Sequence, residues 1–173
     1  MEPCYSKRIR VLLNDNNKDY IQKSIVSYPH HVRQELCTTR EVYRCGKRET
    51  AVKVFTIADE SVYILVQNVP LLNGVNIKND LEILCSRFGV LDSIEPVKYE
   101  TKEAFCQTFL VKYVRLVDAI RAKKSLDDHI FLGSSLHICY APEFESVEET
   151  LAKVNSRQRY VHIKMAQLKN LSK

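Results

Sequence analysis

The chain has 173 residues, of which 45% are hydrophobic, and a formal net charge of +5. That apolar content can bury the core of one ordinary domain, and no run approaches the roughly 18 apolar residues of a membrane helix, so the composition excludes a membrane protein and predicts a soluble intracellular one. Charge is uneven along the chain: residues 1 to 58 carry 11 Lys and Arg against 6 Asp and Glu, residues 59 to 145 carry 9 against 13, and residues 146 to 173 carry 6 against 2.

The first 58 residues read as a basic extension. Arg8 to Leu13 allows a short strand, the stretch from 30 to 50 alternates basic and acidic groups, and Ala51 to Ile57 reads as a further strand. A basic footprint is what phosphates select, so Arg40, Tyr43, Arg44, Lys47, Arg48 and Lys53 are candidate nucleic-acid contacts. Six cysteines without a Cys-x-x-Cys pair suit reduced thiols. His30, His31, Cys37 and Cys45 are residue types that bind zinc, but their spacing matches no finger pattern, and neither a metal site nor a cofactor is assigned.

From residue 59 to 145 the pattern runs strand, helix, strand, strand, helix, strand. Val62 to Val66 is β-branched and aromatic, and Asn73-Gly74 signals a turn. Ile77, Leu81, Leu84, Cys85 and Phe88 share one helical face, with Gly89 as the stop. Val90 to Tyr99 is the second strand. The third spans Phe105 to Tyr113 and alternates, with Phe109, Val111 and Tyr113 facing one way and Cys106, Thr108, Leu110 and Lys112 the other. Leu116, Ala119, Ile120 and Leu126 return to helical spacing, and Leu136 to Tyr140 closes the sheet. Two helices cover one sheet face and leave the other for a ligand or a further element.

Residues 146 to 173 open on a capping box, Ser146-Val147-Glu148-Glu149. Val147, Leu151, Val154, Val161, Met165 and Leu168 then follow at steps of three and four, which predicts one long amphipathic helix. Such a stripe needs something to bury it.

The runs Ile64 to Val69 and Cys106 to Tyr113 resemble the paired signatures of RNA recognition motifs. The predicted fold is accordingly α+β: a ferredoxin-like RNA recognition motif, βαββαβ, with a four-stranded antiparallel sheet and two helices on one face. The long C-terminal helix and the basic N-terminal extension are additions to it. In that module aromatic residues on these strands stack single-stranded bases, whereas the positions here hold Leu65, Thr108 and Leu110. Tyr63, Gln67, Lys112 and His137 remain on that face as candidate RNA contacts. Leu65, Thr108 and Leu110, with Leu151, Val154 and Val161 of the helix, are candidate protein contacts. No phosphate loop, nucleophile elbow or His-Glu-x-x-His motif is present, and catalysis is not expected.

Cys139-Tyr140-Ala141-Pro142-Glu143-Phe144-Glu145-Ser146-Val147-Glu148-Glu149-Thr150 carries a more specific likeness, together with Ala51 to Ile57, His30-His31 and Tyr43 to Arg48. In these segments the chain resembles the RNA-binding protein 48 family. The resemblance implies a nuclear splicing factor of the minor, U12-type spliceosome that works with an armadillo-repeat partner, near U6atac small nuclear RNA and other spliceosome subunits. The alternative left open by the residues is a protein-interaction adaptor that uses the same scaffold without touching RNA.

Overall fold

A computed structural model describes residues 24–25, 27–35, 55–72, 76–99 and 105–171. In chain order these form β1 (Ser24–Ile25), a 3-10 turn at Pro29–His31, β2 (Tyr63–Pro70), α1 (Ile77–Ser86), β3 (Leu91–Tyr99) and β4 (Cys106–Tyr113). There follow α2 (Leu116–Leu126), the short hairpin β5 (Ile130–Phe131) and β6 (Ser134–Ser135), β7 (His137–Tyr140), a second 3-10 turn at Pro142–Phe144, and α3 (Val147–Leu171). Strand order in the main sheet is β1-β3-β4-β2-β7; β3, β4, β2 and β7 are antiparallel, as expected, and β1 adds a parallel edge beside β3.

The alternation of β4 sorts its side chains as a pleated strand must. Phe109, Val111 and Tyr113 enter the main core with Ile64 and Val66 of β2, Leu81 and Cys85 of α1, and Ala119 and Leu126 of α2. The Tyr113 hydroxyl, wholly buried, donates to the Cys85 carbonyl at 3.0 Å, so its burial leaves no polar group unmet. Register between β2 and β4 shifts between Val66 and Val69, and Asn68 takes a positive φ of 62° there, a conformation asparagine tolerates.

Two expectations change. Gly89 has no positive φ and does not act as a left-handed helix cap. A Cβ at Gly89 would instead lie 2.3 Å from Cγ of Asp118, so glycine is required by the close approach of that side chain, which is bonded to Arg115 at 2.8 Å. Phe55 to Ile57, the described end of the strand expected over Ala51 to Ile57, is irregular and leads into a turn. The Asp59 carboxylate accepts from the Thr56 N–H (2.8 Å) and hydroxyl (2.6 Å), which closes the turn. Residues 51–54 and the strand expected at Arg8 to Leu13 lie outside the described residues. Among the described residues no helix is long and apolar enough to cross a membrane.

Candidate nucleic-acid interface

The sheet face away from α1 and α2 carries a second buried cluster. Leu65, Leu110 and Cys139 stand side by side in register, with Val97 and Ala141 beside them and Tyr63, Tyr99 and Phe144 at the rim. Leu65 is 0% exposed, Thr108 1% and Leu110 6%. Residues 27–35 form an arm that covers this face together with the Pro142–Phe144 turn, so the chain itself provides the further element that the sequence called for. The distal part of α3 is not that cover: from Asn155 to Asn170 every residue is exposed.

One backbone carbonyl anchors the arm. The His31 oxygen accepts from the Gln67 amide at 3.3 Å and lies 3.2 Å from His137 Nε2, while Gln67 also reaches Cys139 Sγ at 3.4 Å. The other nitrogen of His137, Nδ1, meets an Asp127 carboxylate oxygen at 3.3 Å. With an acceptor on each nitrogen, both bonds form together only when both carry protons; a neutral ring keeps one of the two. Burial raises the Asp127 carboxyl, but His137, Lys123 and the Ile138 N–H outweigh it and hold it well below the usual range. Gln67 and His137 therefore sit beneath the arm. Burial pushes the Cys139 thiol up to about 12 and the Cys85 thiol up to about 11, so neither provides a thiolate nucleophile.

A clamp of side chains completes the attachment. His31 Nε2 lies 2.7 Å from Glu143 Oε1, and His30 Nε2 lies 3.2 Å from Oε2, so adjacent imidazoles grip both oxygens of one carboxylate. Burial pushes that carboxyl up, but His31, a backbone N–H and His30 together hold it below its ordinary value. The three residues gather ligand types that zinc accepts, with the candidate atoms all within 4.8 Å of one another. The His31 Nδ1 atom, however, accepts the Tyr28 N–H at 3.4 Å, which leaves the ring proton on Nε2 facing the carboxylate. In that tautomer the ring is neutral, so its edge gives Glu143 a polar contact rather than an ion pair, and its Nε2 is not a free metal ligand.

Tyr63 and Lys112 belong to a different set of contacts. Lys112 Nζ lies 3.0 Å from Asp92, 3.1 Å from Glu149 and 5.1 Å from the Tyr63 ring centroid, and the Tyr63 hydroxyl donates to Glu149 at 3.4 Å. Asp92, then Glu149 and Tyr63, hold the Lys112 ammonium above its ordinary value. The expected capping box forms, with Ser146 N–H to Glu149 at 2.8 Å and Glu149 N–H to the Ser146 hydroxyl at 3.2 Å. Lys153 completes the root of α3 by bonding Glu145 at 2.7 Å and the Glu60 carbonyl at 2.8 Å.

Of the remaining candidate residues, Arg40, Tyr43, Arg44, Lys47, Arg48 and Lys53 lie outside the described residues. Leu151 and Val161 stand 57% and 49% exposed on α3, and Val154 is half-buried. The opposite side of α3, at Ala152, Ser156 and Tyr160, borders a groove of about 720 Å³ whose far wall includes Leu116, Val117 and Ile120. The grouping of Tyr28, His30 and His31 with Glu143 is not foreshadowed by the sequence: the doubled histidine and the Pro142-Glu143-Phe144 segment are visible there, but nothing in their spacing joins them.

No family model matches the chain. It is 42% identical over 135 residues to RNA-binding protein 48 of Danio rerio and 40% identical over 134 residues to that of Homo sapiens, in each case over 78% of this chain. The chain spans 36% of the length of both relatives. Among solved structures, the third RNA recognition motif of Gbp2 is similar, at 28% identity and a TM-score of 0.40 over 48% of this chain and 78% of that one. The RNA recognition motif of Rna15 with bound RNA is also similar, at 12% identity and a TM-score of 0.40 over 55% of this chain and 98% of that one. By its sequence identity to these relatives, the chain belongs to the RNA-binding protein 48 family.

Proposed function

We propose that this chain is the RNA-binding part of a non-enzymatic splicing factor. The observation that carries the reading is its 40 to 42% identity, over most of its length, to relatives named as RNA-binding proteins. The finer assignment follows the family resemblance: a nuclear subunit of the minor spliceosome that helps hold U6atac small nuclear RNA together with an armadillo-repeat partner and other spliceosome subunits. Charge supports contacts through the flanks, because the acidic 59 to 145 segment lies between basic ones. The decisive experiment is affinity purification from nuclear extract with RNA and protein identified together. Co-purified U6atac RNA and an armadillo-repeat protein are expected, and recovery of neither would reject the assignment.

A second reading is favoured by one observation, the burial of Leu65, Thr108 and Leu110 at the positions where the module's base-stacking aromatics would stand. On that reading the fold is a scaffold for protein docking. A salt titration separates the two: phosphate contacts give log affinity a steep negative slope in log salt, whereas an adaptor shows no saturable RNA binding at low salt.

A further inference from the structure

The rings at the rim of the covered sheet, Tyr63, Tyr99 and Phe144, are packed against its apolar cluster, and the arm that covers it carries two more. We propose that Tyr28 and His30 form the stacking platform for an unpaired RNA base, an inference that rests on the RNA-binding reading above.

The two rings lie nearly parallel, 19° apart, with centroids at 5.5 Å, the offset geometry that aromatic pairs prefer. His30 keeps 45% of its side chain exposed although it touches Glu143, and Tyr28 is half-buried, so part of the pair is accessible from solvent. The pair is also held in place before any ligand arrives. His31 packs edge-on against Tyr28 (5.4 Å, 87°) and against His30 (4.3 Å, 75°), and its own ring lies 5.7 Å from Tyr99. Tyr99 in turn donates to the Ser27 hydroxyl at 2.9 Å, which ties the start of the arm to β3. A platform already ordered loses little conformational freedom on binding.

The chemistry selects an unpaired base. Stacking on an exposed ring needs a free π face, which bases inside a duplex do not present, and it tolerates any base identity. Arg33, 57% exposed on the arm and paired with Asp128, is a cation on the same segment that can meet a backbone phosphate. The arm thus supplies the aromatic function that Leu65, Thr108 and Leu110 cannot.

The test is fluorescence anisotropy of the full chain against a labelled pool of random single-stranded RNA dodecamers at low salt. The double variant Tyr28→Leu/His30→Leu, which keeps apolar bulk and removes the rings, is expected to bind about tenfold to a hundredfold more weakly. Tyr28→Phe/His30→Phe keeps the π faces while losing the His30 contact to Glu143, and is expected to bind within about threefold of wild type, against a loss of at least tenfold where stacking is removed. Wild-type affinity in the leucine variant overturns the platform alone. A wild-type chain that binds no probe overturns the RNA reading and the platform with it. Should the leucine variant melt below wild type, the question is read on the wild-type chain: saturating RNA is expected to move the His30 and Tyr28 ring proton resonances upfield, and unmoved resonances reject the proposal.

Discussion

Leu65 on β2 and Leu151 on α3 both lie on faces turned away from the main core, yet the first is 0% exposed and the second 57%. The difference lies in what each face can recruit. Leu65 points at a surface that two short segments can reach, and these find polar partners there: the His31 carbonyl accepts from Gln67, and Glu143 lies between His30 and His31, although His31 Nε2 and Glu143 Oε1 approach to 2.7 Å without hydrogen-bond geometry. Leu151 lies just beyond the capping box, on a helix tethered to the domain through Glu149, Lys153 and Arg157 on its other sides. A leucine face is buried where a segment can cover it and find polar partners there, and stays open where none can.

The sharpest way to break this comparison is to truncate both leucines. Leu65→Ala should cost about 2 to 5 kcal/mol, because it opens a cavity under a cover that is pinned and cannot collapse freely. Leu151→Ala should cost less than about 0.5 kcal/mol. Urea unfolding reads both, as a shift of midpoint at constant slope. Equal shifts would mean that the arm leaves the sheet in solution.

Next in size is the clamp. Glu143→Gln removes the charge between two imidazoles and should cost about 2 kcal/mol, the scale of a partly buried charged hydrogen bond. The sign with pH follows from the depressed carboxyls of Glu143 and Asp127. Their contribution is complete above the unfolded carboxylate value near 4 and is lost as pH falls through their lower folded values. Thermal melts from pH 7 to pH 3 should therefore fall in wild type, and fall less steeply in Glu143→Gln. Parallel curves would show that Glu143 does not carry the acid dependence.

What the sequence revealed and what it hid divide along similar lines. Phe109, Val111 and Tyr113 alternate with Leu110 and Lys112, and a period of two sorts a strand's faces without knowledge of its neighbours. Ser146 and Glu149 are three apart, so their reciprocal bonds are written locally. His30 and Glu143 are 113 residues apart, and a contact between two polar side chains on short turns leaves no periodic trace. Asp59 likewise turns Phe55 to Ile57 out of the strand that their apolar character suggests. The buried face was visible as leucines in place of aromatics; its cover was not.

A smaller effect tests the root of α3. Ser146→Ala removes the cap of the Glu149 N–H and should cost about 1 kcal/mol. Because Glu149 also holds Lys112 and Tyr63, the substitution should loosen that cluster, seen as a change in the Tyr63 ring resonances. An unchanged midpoint with unchanged resonances would show that Lys153 alone secures the root.

The smallest effect on stability should accompany the largest effect on assembly. Leu151→Ser/Val161→Ser alters two exposed positions of one stripe, and nothing in the domain is packed on either strongly enough to bury them. The unfolding midpoint should therefore move by less than the equivalent of about 1 kcal/mol, most of it from lower helix propensity. If the proposed armadillo-repeat protein receives this stripe, its affinity for the double variant should fall at least tenfold, since apolar anchors of an interface commonly contribute more than about 1 kcal/mol each. Calorimetry with the purified partner measures that affinity directly. Retained affinity would move the partner off the stripe and toward the groove bounded by Tyr160 and Val117, whereas a midpoint shift as large as that of Leu65→Ala would show that α3 is buried on the domain and that its exposure is no guide to a partner.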